Sequence, residues 1–342
     1  MLLSLSTPTR GLLVKGCFMN KIISLLLITA CSSVLFAEEI SQKEKSPLEL
    51  SLLTTAGYYP KTDHKTGSSH FSGINGIYDG VELVTEFDAT YTMPFLNGSD
   101  ELTADNHLAF KLGLELSPVT VAPLASVTFS PIAFLEFSIG GTIGTGWGLT
   151  DDIQGLAKLD ESKTKYKNLT PFAHWYLYTW ASACFMFDLA AIWEGEWHHI
   201  VTTATYKAGY QKMTGTKSTV WGWRNSYGFA NGWEYEQEYF LGYQMPLKVS
   251  MAGIGATLWG NYQSSDYGKF SSNYDGDFMT IDIWPMVEVK LSDKDLLYVL
   301  ADFRARRSFL EKYDDDAHEP FMTTTGREWL FYAIGVQWKH SF

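Results

Sequence analysis

Hydrophobic and polar residues alternate one for one along much of this chain. Over residues 107–117, Leu108, Phe110, Leu112, Leu114 and Leu116 fall on one face, and Ala109, Lys111, Gly113, Glu115 and Ser117 on the other. A period of two places the two sets on opposite sides of a β-strand and does not fit an amphipathic helix. Residues 81–93 repeat the pattern, with Val81, Leu83, Phe87, Ala89, Tyr91 and Met93 set against Glu82, Glu86, Asp88, Thr90 and Thr92. So do residues 279–291, where Ile281, Ile283, Val287 and Val289 oppose Thr280, Asp282, Glu288 and Lys290. Leu297, Val299, Ala301, Phe303 and Ala305 likewise oppose Tyr298, Asp302, Arg304 and Arg306. These runs reach about a dozen residues, roughly twice the usual strand length of globular proteins.

The connections differ in size. Those over 244–247 and 292–295 are tight, whereas 59–77, 148–171, 263–277 and 310–327 are long and polar. Long loops on one side and short turns on the other suit an up-and-down barrel that crosses a membrane. The fold class expected is therefore all-β: a transmembrane antiparallel up-and-down β-barrel over residues 47–342. About 14 strands are expected, starting near Pro47, Gly80, His107, Val119, Ile132, Phe172, Cys184, His198, Ser218, Trp233, Leu247, Phe278, Leu296 and Glu328. Residues 172–193 hold no clear turn residue, and 12 strands is the alternative count.

The N-terminal residues read as an address. Lys21 precedes an uncharged apolar stretch from Ile22 to Phe36, and Ala37 stands before Glu38 and Glu39. This predicts an export signal over residues 1–37, with Met19 as its natural start and cleavage after Ala37. A competing reading places a lipid-modified Cys31 at the cleavage site. Residues 38–46 would form a short periplasmic segment. Loss of 1–37 removes Arg10, Lys15 and Lys21 and no acid, leaving 23 basic against 38 acidic residues. That balance disfavours a nucleic-acid partner. Cys184 would be the one remaining thiol, so no internal disulfide is expected. No apolar run in the body of the chain is long enough for a membrane helix.

The C-terminus carries a resemblance. Phe342 ends the chain, with Trp338, Val336, Ile334, Tyr332 and Leu330 at alternate positions before it. This resembles the C-terminal β-signal of bacterial outer-membrane β-barrel proteins, although His340 departs from its pattern. The resemblance implies insertion into outer-membrane lipid by the barrel-assembly machinery, with Phe342, Trp338, Val336 and Ile334 as the assembly signal. It points to the class and to no individual family.

Solvent supplies the reason for closure. Hydrocarbon cannot satisfy N–H and C=O groups, so a membrane sheet must have no exposed edge. Alternate side chains then face lipid and lumen. Trp147, Trp175, Trp193, Trp197, Trp221, Trp259, Tyr262 and Trp329 lie near the expected strand ends, where aromatic girdles belong. A secreted β-sandwich would bury Glu82, Glu86 and Asp88 in its core, at a cost on the order of several kcal/mol. A wet lumen avoids that cost.

Lumen chemistry follows from the same parity. Glu234, Glu236 and Glu238 form an acidic ladder on one strand, and Glu82, Glu86 and Asp88 a second group. A tight turn at 292–295 sets Asp282 opposite Arg304 or Arg306. These nine residues are the candidate pore lining, either as a selective constriction or as a salt-bridge network that stiffens the wall. The inward acids also include Glu115, Glu136, Glu288 and Asp302, and the inward bases Lys111, Lys248, Lys290 and Lys339.

Catalytic chemistry has little support. His174, His198 and His199 lack the spaced ligands of a metal site. No enzyme activity, cofactor or metal is expected. The leading expectation is a porin-like outer-membrane channel for passive diffusion of small hydrophilic solutes, mildly favouring cations. The alternatives are a closed-barrel surface adhesin or structural protein acting through its extracellular loops, and a transporter of apolar solutes. A plug could come from an infolded loop, of which 148–171 is the longest. The pattern leaves monomer and homo-oligomer equally open.

Overall fold

The computed structural model describes residues 46–150, 153–215, 220–314, 316 and 318–342. The expected signal over 1–37, and the segment 38–46 apart from Ser46, lie outside the described residues. In chain order the strands are β1 (Leu48–Thr62), β2 (His70–Ser72), β3 (Ile74–Pro94), β4 (His107–Ser117), β5 (Thr120–Ile132) and β6 (Leu135–Gly146). They continue with β7 (Leu156–Asp160), β8 (Lys165–Asn168), β9 (Tyr176–Asp188), β10 (Ile200–Met213), β11 (Val220–Trp223) and β12 (Ser226–Ala230). The last are β13 (Gly232–Gln244), β14 (Val249–Asn261), β15 (Thr280–Lys290), β16 (Asp295–Phe309) and β17 (Thr324–Ser341).

Twelve of these close a barrel in the order β1, β3, β4, β5, β6, β9, β10, β13, β14, β15, β16, β17, and β17 returns to β1. Every wall pairing is antiparallel, so the architecture is the expected up-and-down barrel. The strand number is 12 rather than 14. The start expected at Cys184 lies inside β9, which runs unbroken from Tyr176 to Asp188. The strand expected from Ser218 is β11, which belongs to a separate four-stranded sheet, β12-β11-β7-β8.

The exterior is apolar. Leu112 (67% exposed), Ile139 (63%), Leu241 (53%) and Ile254 (49%) stand outward along the wall. Positions of the opposite parity point into the barrel, as buried Ser138 and Phe240 beside Ile139 and Leu241 show, and with them Glu86, Lys207, Glu238 and Thr257. In water such a surface would drive aggregation, whereas in hydrocarbon it is the favourable one. Leu112→Arg is therefore expected to destabilise by about 2–4 kcal/mol if residue 112 sits near the midplane. Urea titration in lipid vesicles measures this, with Leu112→Phe expected to stay near wild type.

Exposed aromatics mark both ends of the wall. Trp233, Tyr210 and Tyr262 lie toward the long-loop end, and Tyr91, Tyr243, Trp338 and Phe342 toward the other. Two residues expected in these girdles are elsewhere. Trp221 is fully buried in the inner sheet. Trp259 faces the lumen and donates from Nε1 to Asp282 Oδ2 at 2.9 Å.

β17 changes parity part-way. The register with β16 shifts between Asp302/Ala333 and Phe303/Phe331, which leaves Tyr332 as an extra residue. Such a bulge moves every side chain beyond it to the other face. Ile334, Val336 and Trp338 are exposed with Phe342, as the outward row requires. Leu330 and Tyr332, expected on the same face, instead border the lumen cavity described below.

The seam that closes the ring is short. β1 pairs with β17 from Ser51↔Ser341 to Tyr58↔Ile334. Beyond that point β17 pairs in parallel with β2, at Glu328–Leu330. Glu328 fastens this strap: its Oε2 accepts the Lys65 amide at 3.1 Å and contacts His70 Nε2 at 2.9 Å.

Candidate functional site: the barrel interior

Charged side chains that the alternation sends inward meet one another. Lys111 Nζ lies 2.9 Å from Glu86 Oε1 and 2.9 Å from Asp88 Oδ2. Glu82 accepts the Tyr59 hydroxyl at 2.8 Å. In the acidic ladder of β13, Glu236 pairs with Lys207 Nζ at 2.6 Å. Glu238 is buried, and Glu234 borders a cavity. The position of Lys207 follows the parity of β10, where Tyr206 and Tyr210 face out, but the sequence reading passed over it.

Asp282 resolves onto Arg304. The two are cross-strand partners on β15 and β16, and Arg304 Nε donates to Asp282 Oδ1 at 2.9 Å. The guanidinium also lies over the Tyr332 ring, 3.6 Å from its centroid. Arg306 turns to Glu328 instead, with Nε donating to Oε1 at 2.7 Å. Acid and base are thus neighbours within one wall. Partnering of this kind is what allows charge to be buried.

The lumen is also less polar than the sequence suggested. Phe240, Met251, Trp284, Met286, Tyr298 and Leu300 form a buried apolar cluster on the inner side of β13–β16. Trp284 Nε1 donates to Thr257 Oγ1 at 3.0 Å, which satisfies its polar edge. Gly255 lies under the Trp284 ring, where a Cβ would come within 2.1 Å of it.

Two long loops fold into the barrel. β7 and β8 come from the β6–β9 connection, β11 and β12 from the β10–β13 connection. They join through β11–β7, at Trp221↔Lys158 and Trp223↔Leu156. Trp221, Trp223 and Leu156 are buried against wall residues Ala122, Tyr176, Tyr178 and Met213. The infolded-loop expectation for 148–171 is met, with a second loop added. The turn between β11 and β12 sends Arg224 to the wall: its Nε donates to Thr120 Oγ1 at 2.7 Å, and its Nη2 forms an ion pair with Glu115.

The outer connections close over this sheet. Tyr267 and Tyr274 pack with Phe270, Phe309 and Met322 against Leu159 and Val220 of the inner sheet. The Tyr267 hydroxyl donates to the Gly228 carbonyl at 2.8 Å. Burial pushes this phenol up to about 12, so it stays a neutral donor at physiological pH. Between the inner sheet, this lid and the wall lies a cavity of about 140 Å³. Glu234, Trp259, Asn261, Arg304, Arg306 and Tyr332 are among its lining residues. Glu86 and Asp88 lie around Lys111 on β3 and β4, whereas Glu82 accepts from Tyr59, which borders this cavity.

Among the described residues no cluster of His, Cys, Asp and Glu could hold a metal ion. His199 Nδ1 lies 2.6 Å from Asp188 Oδ2 near the short-loop end, and His174 Nδ1 lies 3.1 Å from the Thr214 carbonyl oxygen.

No protein-family model and no curated protein matches the chain. Among solved structures it is similar to the outer-membrane channel from Pseudomonas putida F1, with 10% identity and a TM-score of 0.40, over 89% of this chain and 100% of that one. The translocator domain of the autotransporter NalP from Neisseria meningitidis gives 10% identity and a TM-score of 0.37, over 94% and 96%. The KdgM porin gives 7% and 0.36, over 85% and 99%. Likeness at this level does not reach the detailed geometry of the wall. The closed antiparallel ring and its apolar exterior are themselves those of an outer-membrane β-barrel protein.

Proposed function

We propose that this protein is a porin-like outer-membrane channel for small hydrophilic solutes, non-enzymatic, narrowed at rest by its inner sheet and mildly cation-favouring. The cavity of about 140 Å³ inside the closed wall supports this reading most directly, because charged and hydrogen-bonding side chains line it. An apolar cargo would find Glu234, Asn261, Arg304 and Arg306 on its route. With Lys207 and Arg224 counted, acids still outnumber bases among the inward residues, which raises the local cation concentration within a Debye length of about 8 Å at physiological salt.

Reconstitution in a planar bilayer tests this. Wild type is expected to give small conductance steps and, under a KCl gradient, a reversal potential of the sign for K⁺. Glu234→Gln is expected to move that potential toward zero. An anion-selective wild type would overturn the cation preference. Absence of any steps would favour a closed surface protein acting through its loops.

A further inference from the structure

The tip of the inner sheet is held in an unusual way. Trp223 pairs with Ser226 across a two-residue turn, and Arg224 and Asn225 between them have φ of 50° and 58°. Two successive left-handed residues make the tight hairpin turn that Asn and Gly favour. Arginine has no such preference, so its presence here calls for a reason in the side chain. That side chain is 3% exposed. It crosses from the inner sheet to the wall, where Thr120 and Glu115 receive it, and Glu82 and Glu86 add charge attraction.

The receiving site holds more acceptors than this arginine uses. Glu86 and Glu115 are direct cross-strand partners, and Asp88 lies one inward position further along β3. Glu86 Oε2 and Asp88 Oδ1 are buried without hydrogen-bond partners, as is Arg224 Nη1. If the hairpin tip withdrew, Glu82, Glu86, Asp88 and Glu115 would face Lys111 as their one cation on β4. A planar guanidinium matches paired carboxylates in a way that a hydrated metal cation does not.

We propose that Glu82, Glu86, Asp88 and Glu115 form a lumen binding site for guanidinium-bearing solutes, occupied at rest by Arg224 of the chain itself. A solute of that class competes with the hairpin tip and takes its place. This rests on the channel reading and gives it a substrate class.

Full-length protein refolded in detergent, with methylguanidinium chloride as probe and matched NaCl as control, tests the site. Arg224→Asn keeps a residue suited to the left-handed turn while emptying the site. Its thermal midpoint is expected to lie below that of wild type and to rise by about 2–4 °C at saturating methylguanidinium. Wild type should show no such rise, and adding Glu115→Gln to the variant should abolish it. Equal responses of wild type and variant, or a response that survives Glu115→Gln, would overturn the site. A second measurement needs no variant: in wild type, methylguanidinium should speed amide exchange over residues 220–230, and unchanged exchange would overturn the competition.

In bilayers methylguanidinium should block the current through the Arg224→Asn protein. Midpoint and exchange responses with no current in any protein would leave the site standing and sink the channel. Current without those responses would do the reverse.

Discussion

Excision of the inner sheet is expected to raise single-channel conductance severalfold. The cut removes residues 154–168 and 220–230, each bridged by a short Gly-Ser linker. Trp221, Trp223 and Leu156 pack into the lumen against Ala122, Tyr176, Tyr178 and Met213, along the arc of wall from β5 to β10. The wall should survive, because its strands pair only with one another and with β2, and the inner sheet supplies none of its ladder. Bilayer recordings give the conductance, and a heat-modifiable shift on electrophoresis reports that the ring still closes. An unchanged conductance in an intact barrel would place the constriction at Phe240, Trp284 and Met286 instead.

Arg304→Met is expected to cost about 3–5 kcal/mol, because it strands the Asp282 carboxylate inside the wall. Asp282 is 0% exposed, and its two oxygens accept from Arg304 Nε and Trp259 Nε1. Removing both charges, as Arg304→Met with Asp282→Leu, should recover most of that loss, since apolar replacements for a buried pair are often neutral. Urea titrations of the single and double variants in vesicles measure the difference. Equal losses in both would mean that packing on Tyr332, rather than charge, sets the cost.

The wall was legible because two solvents act on it. Lipid on one side and a polar interior on the other impose a period of two, so β4 reads directly from Leu108 to Leu116. The same contrast gave the faces of Glu86, Glu236 and Asp282. The inner sheet was not legible, because both of its faces are enclosed. Trp221, Gly222 and Trp223 of β11 are all buried, which erases the outward partner that identifies a wall strand. Arg224 belongs to a turn, and nothing local says that the turn points into a barrel. The parity change at Tyr332 was equally hidden, since a bulge inserts a residue without altering composition. Lys207 could have been found: it lies between two outward tyrosines at the correct spacing.

The short seam leaves β17 held unequally on its two sides, so lateral tension in a bilayer parts it from β1 before it parts it from β16. β16 holds β17 along Asp295–Phe309, but β1 holds it only along Ser51–Tyr58. Above Tyr58 the two strands are bridged by three residues of β2 and by the Glu328 contacts to Lys65 and His70. The wall is therefore a clasp rather than a uniform hoop, and its buckle sits beside the lumen cavity, where Tyr59 and Tyr332 meet edge to face.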